Sequence, residues 1–445
     1  MHKLFSTFLS FFVFCLFLYM GQAQALNAIF LTEPTKTITH KPSVMVVSRD
    51  ENRTVITLAP DFSYDGSQLG LLIPLPKIVA DTQLRFADVG QLDAIMSFTA
   101  PRYNVYKDDD VCAGAVRALE KRLDEKKSSI LSYTQKYAEK PEVRLIKREE
   151  LIETPIQNIL KDAGFVVDKA YEDALLAYKN ANVDFALLIY AEKLDDSLSM
   201  PPVQIAYESD NFILPLGLST LNGGPAQDLT IVFISRDGLV QPKAAGLKKM
   251  SSGVDLPLFV KNDFAQVYAD IFAQSVTTDN FQSLFLEFSG DLGWCPNCKD
   301  ADTLTRADLR GLGAWWVDKA KTQKSKAAPE FTPDNIFFTR MHIRHTNKTL
   351  LNNVEFVNAK DKNRFQTVFN LHQPYIKDAV CEDGRLYQAN LPRIYDVQLN
   401  NLVALTGYEA VDIRARMTEG GQNFDLQSDE DAAQWWERMW DIPTE

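Results

Sequence analysis

The opening segment governs how every later residue is read. His2 and Lys3 form a short basic start, an apolar run follows from Leu4 to Met20, and Ala23-Gln24-Ala25 closes it. That is the basic, apolar and A-x-A order of a secretory signal peptide. It predicts export to the periplasm or the cell exterior, with cleavage after Ala25. An uncleaved anchor is the competing reading, because about 17 apolar residues reach the lower limit of a spanning helix. Cys15 lies inside the run without the preceding small residues of a lipid-attachment site. Beyond residue 25 the chain is too interrupted by polar residues to suggest a transmembrane segment.

Export changes what the cysteines mean. Removing Cys15 leaves Cys112, Cys295, Cys298 and Cys381, and four thiols in an oxidising compartment usually pair. Three connectivities exist in principle. The local one, Cys295 with Cys298, leaves Cys112 to meet Cys381 and would close a very long loop, stabilising by several kcal/mol on the chain-entropy account.

Charge narrows the partners. The chain carries 47 Lys and Arg against 59 Asp and Glu, a formal net charge of −12. A surface bound through phosphates needs clustered Lys and Arg, so no nucleic-acid partner is expected. Gly and Pro, at 20 each in 445 residues, are ordinary and exclude collagen-like or wholly disordered readings. One or two cored domains are expected, divided as 26–250 and 251–445 or continuous across that boundary.

Strand and helix signals come in groups. Val44 to Ser48 and Thr54 to Leu58 read as a hairpin around a polar loop, and Leu69 to Leu75 as a third strand. Further strands are expected at Phe185 to Tyr190, Gln204 to Tyr207, Phe212 to Leu216, Leu229 to Ser235, Leu284 to Phe288, Phe337 to His345 and Phe365 to His372. Helical spacing predicts helices over Gln91 to Ser97, Ile156 to Ala163, Tyr171 to Ala181, Phe264 to Ser275 and Leu399 to Leu405. Val116, Leu119, Leu123, Ile130, Tyr133 and Tyr137 recur at three- and four-residue steps, predicting a long amphipathic helix over Ala113 to Lys140. The fold class is therefore α+β, with largely antiparallel sheets, helices packed on them and one long helical insertion. Two short echoes occur, in reversed order between the halves, which argues against a duplication. Ile73-Pro74-Leu75 resembles Leu214-Pro215-Leu216, and Ser48-Arg49-Asp50 recurs as Ser235-Arg236-Asp237.

Several stretches carry a family resemblance. They are Leu71 to Pro76, Thr99-Ala100-Pro101-Arg102 with Cys112 after it, Tyr207 through Leu218, and Gln227-Asp228-Leu229 leading to Arg236-Asp237-Gly238. Cys295-Pro296-Asn297-Cys298, Leu309 to Gly313, Thr339-Arg340-Met341-His342, and Cys381 followed by Gly384, Tyr387, Leu391-Pro392-Arg393 and Leu405-Thr406-Gly407 continue the order. Over roughly residues 40 to 410 the chain resembles the bacterial exported-protein family called domain of unknown function 2330. The resemblance implies export and pairing of the four cysteines, and brings no activity with it. Against the family, Ala113 to Lys140 looks like an insertion.

Of the chemical motifs, Trp294-Cys295-Pro296-Asn297-Cys298 is the sharpest. A thioredoxin-like pair is activated by a helix N-terminus. Here the acidic Lys299-Asp300-Ala301-Asp302-Thr303 follows, and the helix signal begins only near Leu304. Nearby carboxylates raise a thiol's pKa, which favours a structural disulfide over redox catalysis or a zinc site. His342 and His345 fall on opposite faces if their segment is a strand, and His372 and His40 read as structural. Asp108-Asp109-Asp110, and Asp61 with Asp65-Gly66, lack the spacing of a calcium loop. Trp436 and Trp440 share a face of an expected C-terminal helix, with Trp435 beside it. No H-E-x-x-H, G-x-S-x-G, Walker or dinucleotide glycine pattern occurs.

The sequence therefore points to an exported, disulfide-stabilised, noncatalytic binding or envelope-associated module whose partner is an unknown protein or envelope ligand. It assigns no catalytic, cofactor-binding or metal residue and no cofactor. The disulfide candidates are Cys295, Cys298, Cys112 and Cys381. A thiol-disulfide oxidoreductase acting through Cys295 and Cys298 is the alternative.

Overall fold

In the strand Ile38–Asp50, Val44 and Val46 face one way, Met45 and Val47 the other, and all four are buried. Side chains alternate between the faces of a strand, so this run has to lie between two apolar layers. The computed structural model describes residues 28–33, 36, 38–75, 80–113, 122–128, 140–169, 171–173, 175, 184–190, 200–214, 226–294, 304–318, 336–345, 354–376 and 380–424.

A nine-stranded sheet supplies the frame. Its path runs Gly246–Lys249, Ser283–Asp291, Phe337–His345, Gln227–Ser235, Ile38–Asp50, Arg53–Tyr64, Val203–Glu208 and Leu84–Phe86, with Phe365–Gln366 also paired to Ser283–Asp291. Strands from both sides of residue 250 share it. Most pairs are antiparallel, but Ile38–Asp50 runs parallel to Gln227–Ser235.

One face of this sheet, through Met45, Val47, Ile56, Phe233 and Met341, packs on a second sheet ordered Ile29–Thr32, Leu69–Leu75, Asp184–Tyr190, Glu142–Ile146. Every residue of Leu69–Leu75 is buried, because the helix Ile156–Asp162 covers the second sheet's outer face through Ile156, Ile159 and Leu160. The opposite face of the main sheet, through Val44, Val46, Val232 and Phe338, lies under the helices Val89–Thr99 and Arg306–Gly311. A third body of core joins the sheet Val254–Leu256, Val368–Gln373, Arg102–Lys107, Arg122–Ser128 to the helices Phe264–Thr278, Glu382–Thr406 and Ala410–Glu419. The class is α+β with largely antiparallel sheets, as the sequence indicates.

The long insertion helix is corrected. Within Ala113 to Lys140, Arg122–Ser128 forms a strand, antiparallel to Arg102–Lys107. On its other side Arg102–Lys107 is parallel to Val368–Gln373, so without Arg122–Ser128 it would present a row of unpaired amides and carbonyls. That tertiary demand outweighs a local helical period. Residues 114–121 and 129–139 lie outside the described residues. The C-terminal helix expected at Leu399 to Leu405 starts much earlier, at Glu382, and ends at Gly407, whose φ of 73° is a left-handed cap.

Candidate ligand-binding cleft

The two Ser-Arg-Asp tripeptides end the main sheet's central parallel pair. In that register Ser48 lies opposite Ile234, so Arg49-Asp50 and Arg236-Asp237 leave the same edge of the sheet side by side. Each serine is turned inward. Ser48 Oγ donates to the Leu312 carbonyl at 2.7 Å, and Ser235 Oγ donates to the Gly238 carbonyl at 2.6 Å. Gly238 makes this turn possible, since its φ is 133° and an added Cβ would stand 2.4 Å from the Asp361 carbonyl oxygen.

With the serines held, the arginines define a cleft of about 610 Å³, well within the range of small-molecule sites. Arg236 forms a two-pronged pair with Asp50, Nε to Oδ1 at 3.1 Å and Nη2 to Oδ2 at 2.6 Å. Its guanidinium carbon lies 5.8 Å from the Trp316 ring centre. Arg49 is bound differently. Nη1 donates to Thr54 Oγ1 at 2.6 Å, Nη2 donates to the Ser209 carbonyl at 2.8 Å, and its guanidinium carbon lies 4.8 Å from the Phe212 ring centre. Burial pushes the Arg49 pKa down, opposed by the nearby Tyr207 and Asp210. The small sheet of Ile213–Leu214, Val354–Asn358 and Val240–Pro242 supplies Phe356 and Val357 as one wall, and Trp315 stands at another side.

The cysteines lie elsewhere. Cys112 and Cys381 form a disulfide with their Cα atoms 5.6 Å apart. Cys381 also caps the helix Glu382–Thr406, its Sγ accepting from the Gly384 amide at 3.3 Å. Cys295 and Cys298 lie outside the described residues, as do the signal segment and Trp435, Trp436 and Trp440. Beside the bridge, Asp108 accepts from the Tyr387 hydroxyl at 2.8 Å, and Asp110 accepts from the Tyr375 hydroxyl at 3.0 Å and the Cys112 amide at 2.9 Å. His372 sits between Asp255, at 3.3 Å, and Asp108, at 3.8 Å. Asp61 binds its neighbouring Phe62 amide, and Asp65 pairs with Lys36. Among the described residues no group of three or more His, Cys, Asp or Glu could hold a metal ion. The side chains of His40 and His345 are outside the described set.

His342 belongs to a cluster that sequence reasoning missed. Glu287, fully buried, accepts from Arg340 Nε at 2.5 Å and from the Tyr268 hydroxyl at 2.7 Å, with His342 Nδ1 at 3.1 Å. Burial pushes the Glu287 carboxyl up, but the Arg340 charge and the His342 and Tyr268 hydrogen bonds outweigh it and hold the pKa at about 2. His342 stacks on Phe272 with ring centres 3.5 Å apart, and its Nε2 is buried without a partner among the described residues. The available signal was Glu287 in the apolar run Leu284 to Phe288, where a lone carboxylate needs a buried cation.

Among curated proteins none matches the chain significantly. The crystal structure of baculovirus P35 aligns at 10% identity over 46% of this chain and 66% of that one, just under two thirds of its length, with a TM-score of 0.28. A family model described as uncharacterized proteins conserved in bacteria matches residues 22–357, so Cys381 and the helix it caps fall beyond the matched stretch. On that match, which takes in both Ser-Arg-Asp tripeptides and every described lining residue of the cleft but Asn358, the chain belongs to the DUF2330 family.

Proposed function

We propose that the protein is an exported, noncatalytic binding module whose ligand, from the envelope or from a partner protein, occupies the cleft between the two Ser-Arg-Asp turns. The observation that carries this reading is the cleft itself. Two arginines are pre-positioned by fixed acceptors beside aromatic walls, so little ordering cost remains when a ligand arrives. Among the described lining residues, Ser235 supplies the one hydroxyl nucleophile, and it is engaged with the Gly238 carbonyl. The long-range Cys112–Cys381 bridge supports the exported part of the reading, since such bridges persist in oxidising compartments.

A thermal-shift screen of small polar compounds on the mature chain tests the binding part. Hits should raise the melting temperature of the native protein and lose that effect when both cleft arginines are changed, Arg49→Gln with Arg236→Gln. A screen without hits, or hits indifferent to that double change, defeats the assignment of the cleft. For export, fractionation of cells carrying the full chain should find it outside the cytoplasm with a new N-terminus after Ala25, and a cytoplasmic, uncleaved chain defeats that part.

A further inference from the structure

The charges around the cleft are unevenly answered. Arg236 is neutralised by Asp50, and the exposed Arg53 pairs with Glu208 at 3.0 Å. Arg49 is half-buried and spends its hydrogen bonds on a hydroxyl and a carbonyl, both neutral. Among the described residues no carboxylate lies within ion-pair distance of it, and the exposed Asp210 acts only from further off. Glu51 and Asp237 also line the cleft, but both are exposed. Solvent and salt screen them far more than they screen Arg49. Among the described residues, Arg49 is thus a cleft cation with no counter-charge at ion-pair distance.

Amid the charged residues of the cleft, one side of that cation is aromatic. Phe212 lies beneath it, 5.7 Å from Phe356 between ring centres, and Trp315 lines the same space. Resting on the cleft as the binding site, we propose that the ligand is a small monocarboxylate with an aromatic or apolar body, its carboxylate answering Arg49 and its body lying against Phe212, Phe356 and Trp315. A guanidinium binds a carboxylate through charge-assisted hydrogen bonds, and stacked or edge-on rings add to the burial of the body.

The experiment compares two probes of equal shape, 3-phenylpropionate and 3-phenylpropionamide, by titration calorimetry and by the change in tryptophan fluorescence that is lost in Trp315→Phe. The carboxylate should bind at least about tenfold more tightly than the amide, the scale of a hydrogen bond to a charged group. That preference should shrink with added salt and vanish in Arg49→Gln, and Arg49→Lys should retain part of it. Because the probe comparison uses the native protein, it stands even if Arg49→Gln does not fold. Equal binding of the two probes at the cleft overturns the carboxylate assignment while leaving the cleft a binding site. Absence of binding by both overturns the proposal as well, and the compound screen then decides the fate of the cleft separately.

Discussion

At the scale of single residues, the buried Glu287 is the most consequential side chain outside the cleft. It lies between Arg340, Tyr268 and His342 with no solvent to share its charge. Removing one partner of such a pair leaves the other uncompensated, so Glu287→Gln should cost about 3–5 kcal/mol in urea unfolding. Glu287→Leu with Arg340→Leu should cost clearly less than the sum of the two single changes. The pH dependence follows in sign. The Glu287 pKa falls from 4.5 to about 2 on folding, so its contribution is fully present above the unfolded value. It is lost as pH falls from there through about 2. Acid unfolding followed by near-UV circular dichroism should steepen below pH ~4.5, and Glu287→Gln should flatten that part of the curve. Gly238 is the second sensitive position. Gly238→Ala would force a side chain into a φ of 133° against the Asp361 carbonyl, so it should destabilise by about 1–3 kcal/mol or more and weaken any cleft ligand.

At the scale of elements, the edge strand Arg122–Ser128 offers a direct contrast between local pattern and tertiary pairing. An antiparallel strand with one partner bonds through every second residue, whereas a helix bonds through each one. Amide exchange at residue resolution should therefore alternate between slow and fast over Glu125 to Ser128, beyond the register shift at Asp124, and uniform protection would restore the helix. The strand Phe337–His345 shows the opposite case. Its alternation was plain, and the structure confirms it, with Met341 and Ile343 in one core and Phe338 in the other. Alternation is legible here because Arg340 and His342 share one face, where they answer Glu287, and the apolar Met341 and Ile343 share the other.

For the whole molecule, the Cys112–Cys381 bridge joins positions 269 residues apart and ties Asp108 and Asp110 to the start of the helix Glu382–Thr406. Replacing both cysteines with serine should lower stability by about 5–6 kcal/mol, the chain-entropy figure for a loop of that length, read as a fall in melting temperature. Peptide mapping without reductant tests the remaining pair. If Cys295 and Cys298 are closed and resist mild reduction, that bridge is structural. If they cycle readily while the fold persists, the oxidoreductase reading takes over.

By itself the sequence determined the elements with strong periodicity or firm punctuation. Leu69 to Leu75 is a strand with the expected limits, and Gly164 and Gly407 follow the ends of their helices, each with positive φ. These are decisions made within a few residues, where side-chain period and backbone freedom suffice. The sequence also showed Ser-Arg-Asp twice. Only the tertiary structure decided that the two copies stand side by side on parallel strands, and only it brought Glu287, Arg340, His342 and Tyr268 together. Strand order, register and the pairing of buried charges depend on contacts between residues up to hundreds of positions apart. A local pattern can show that such partners are needed, but packing selects which ones they are.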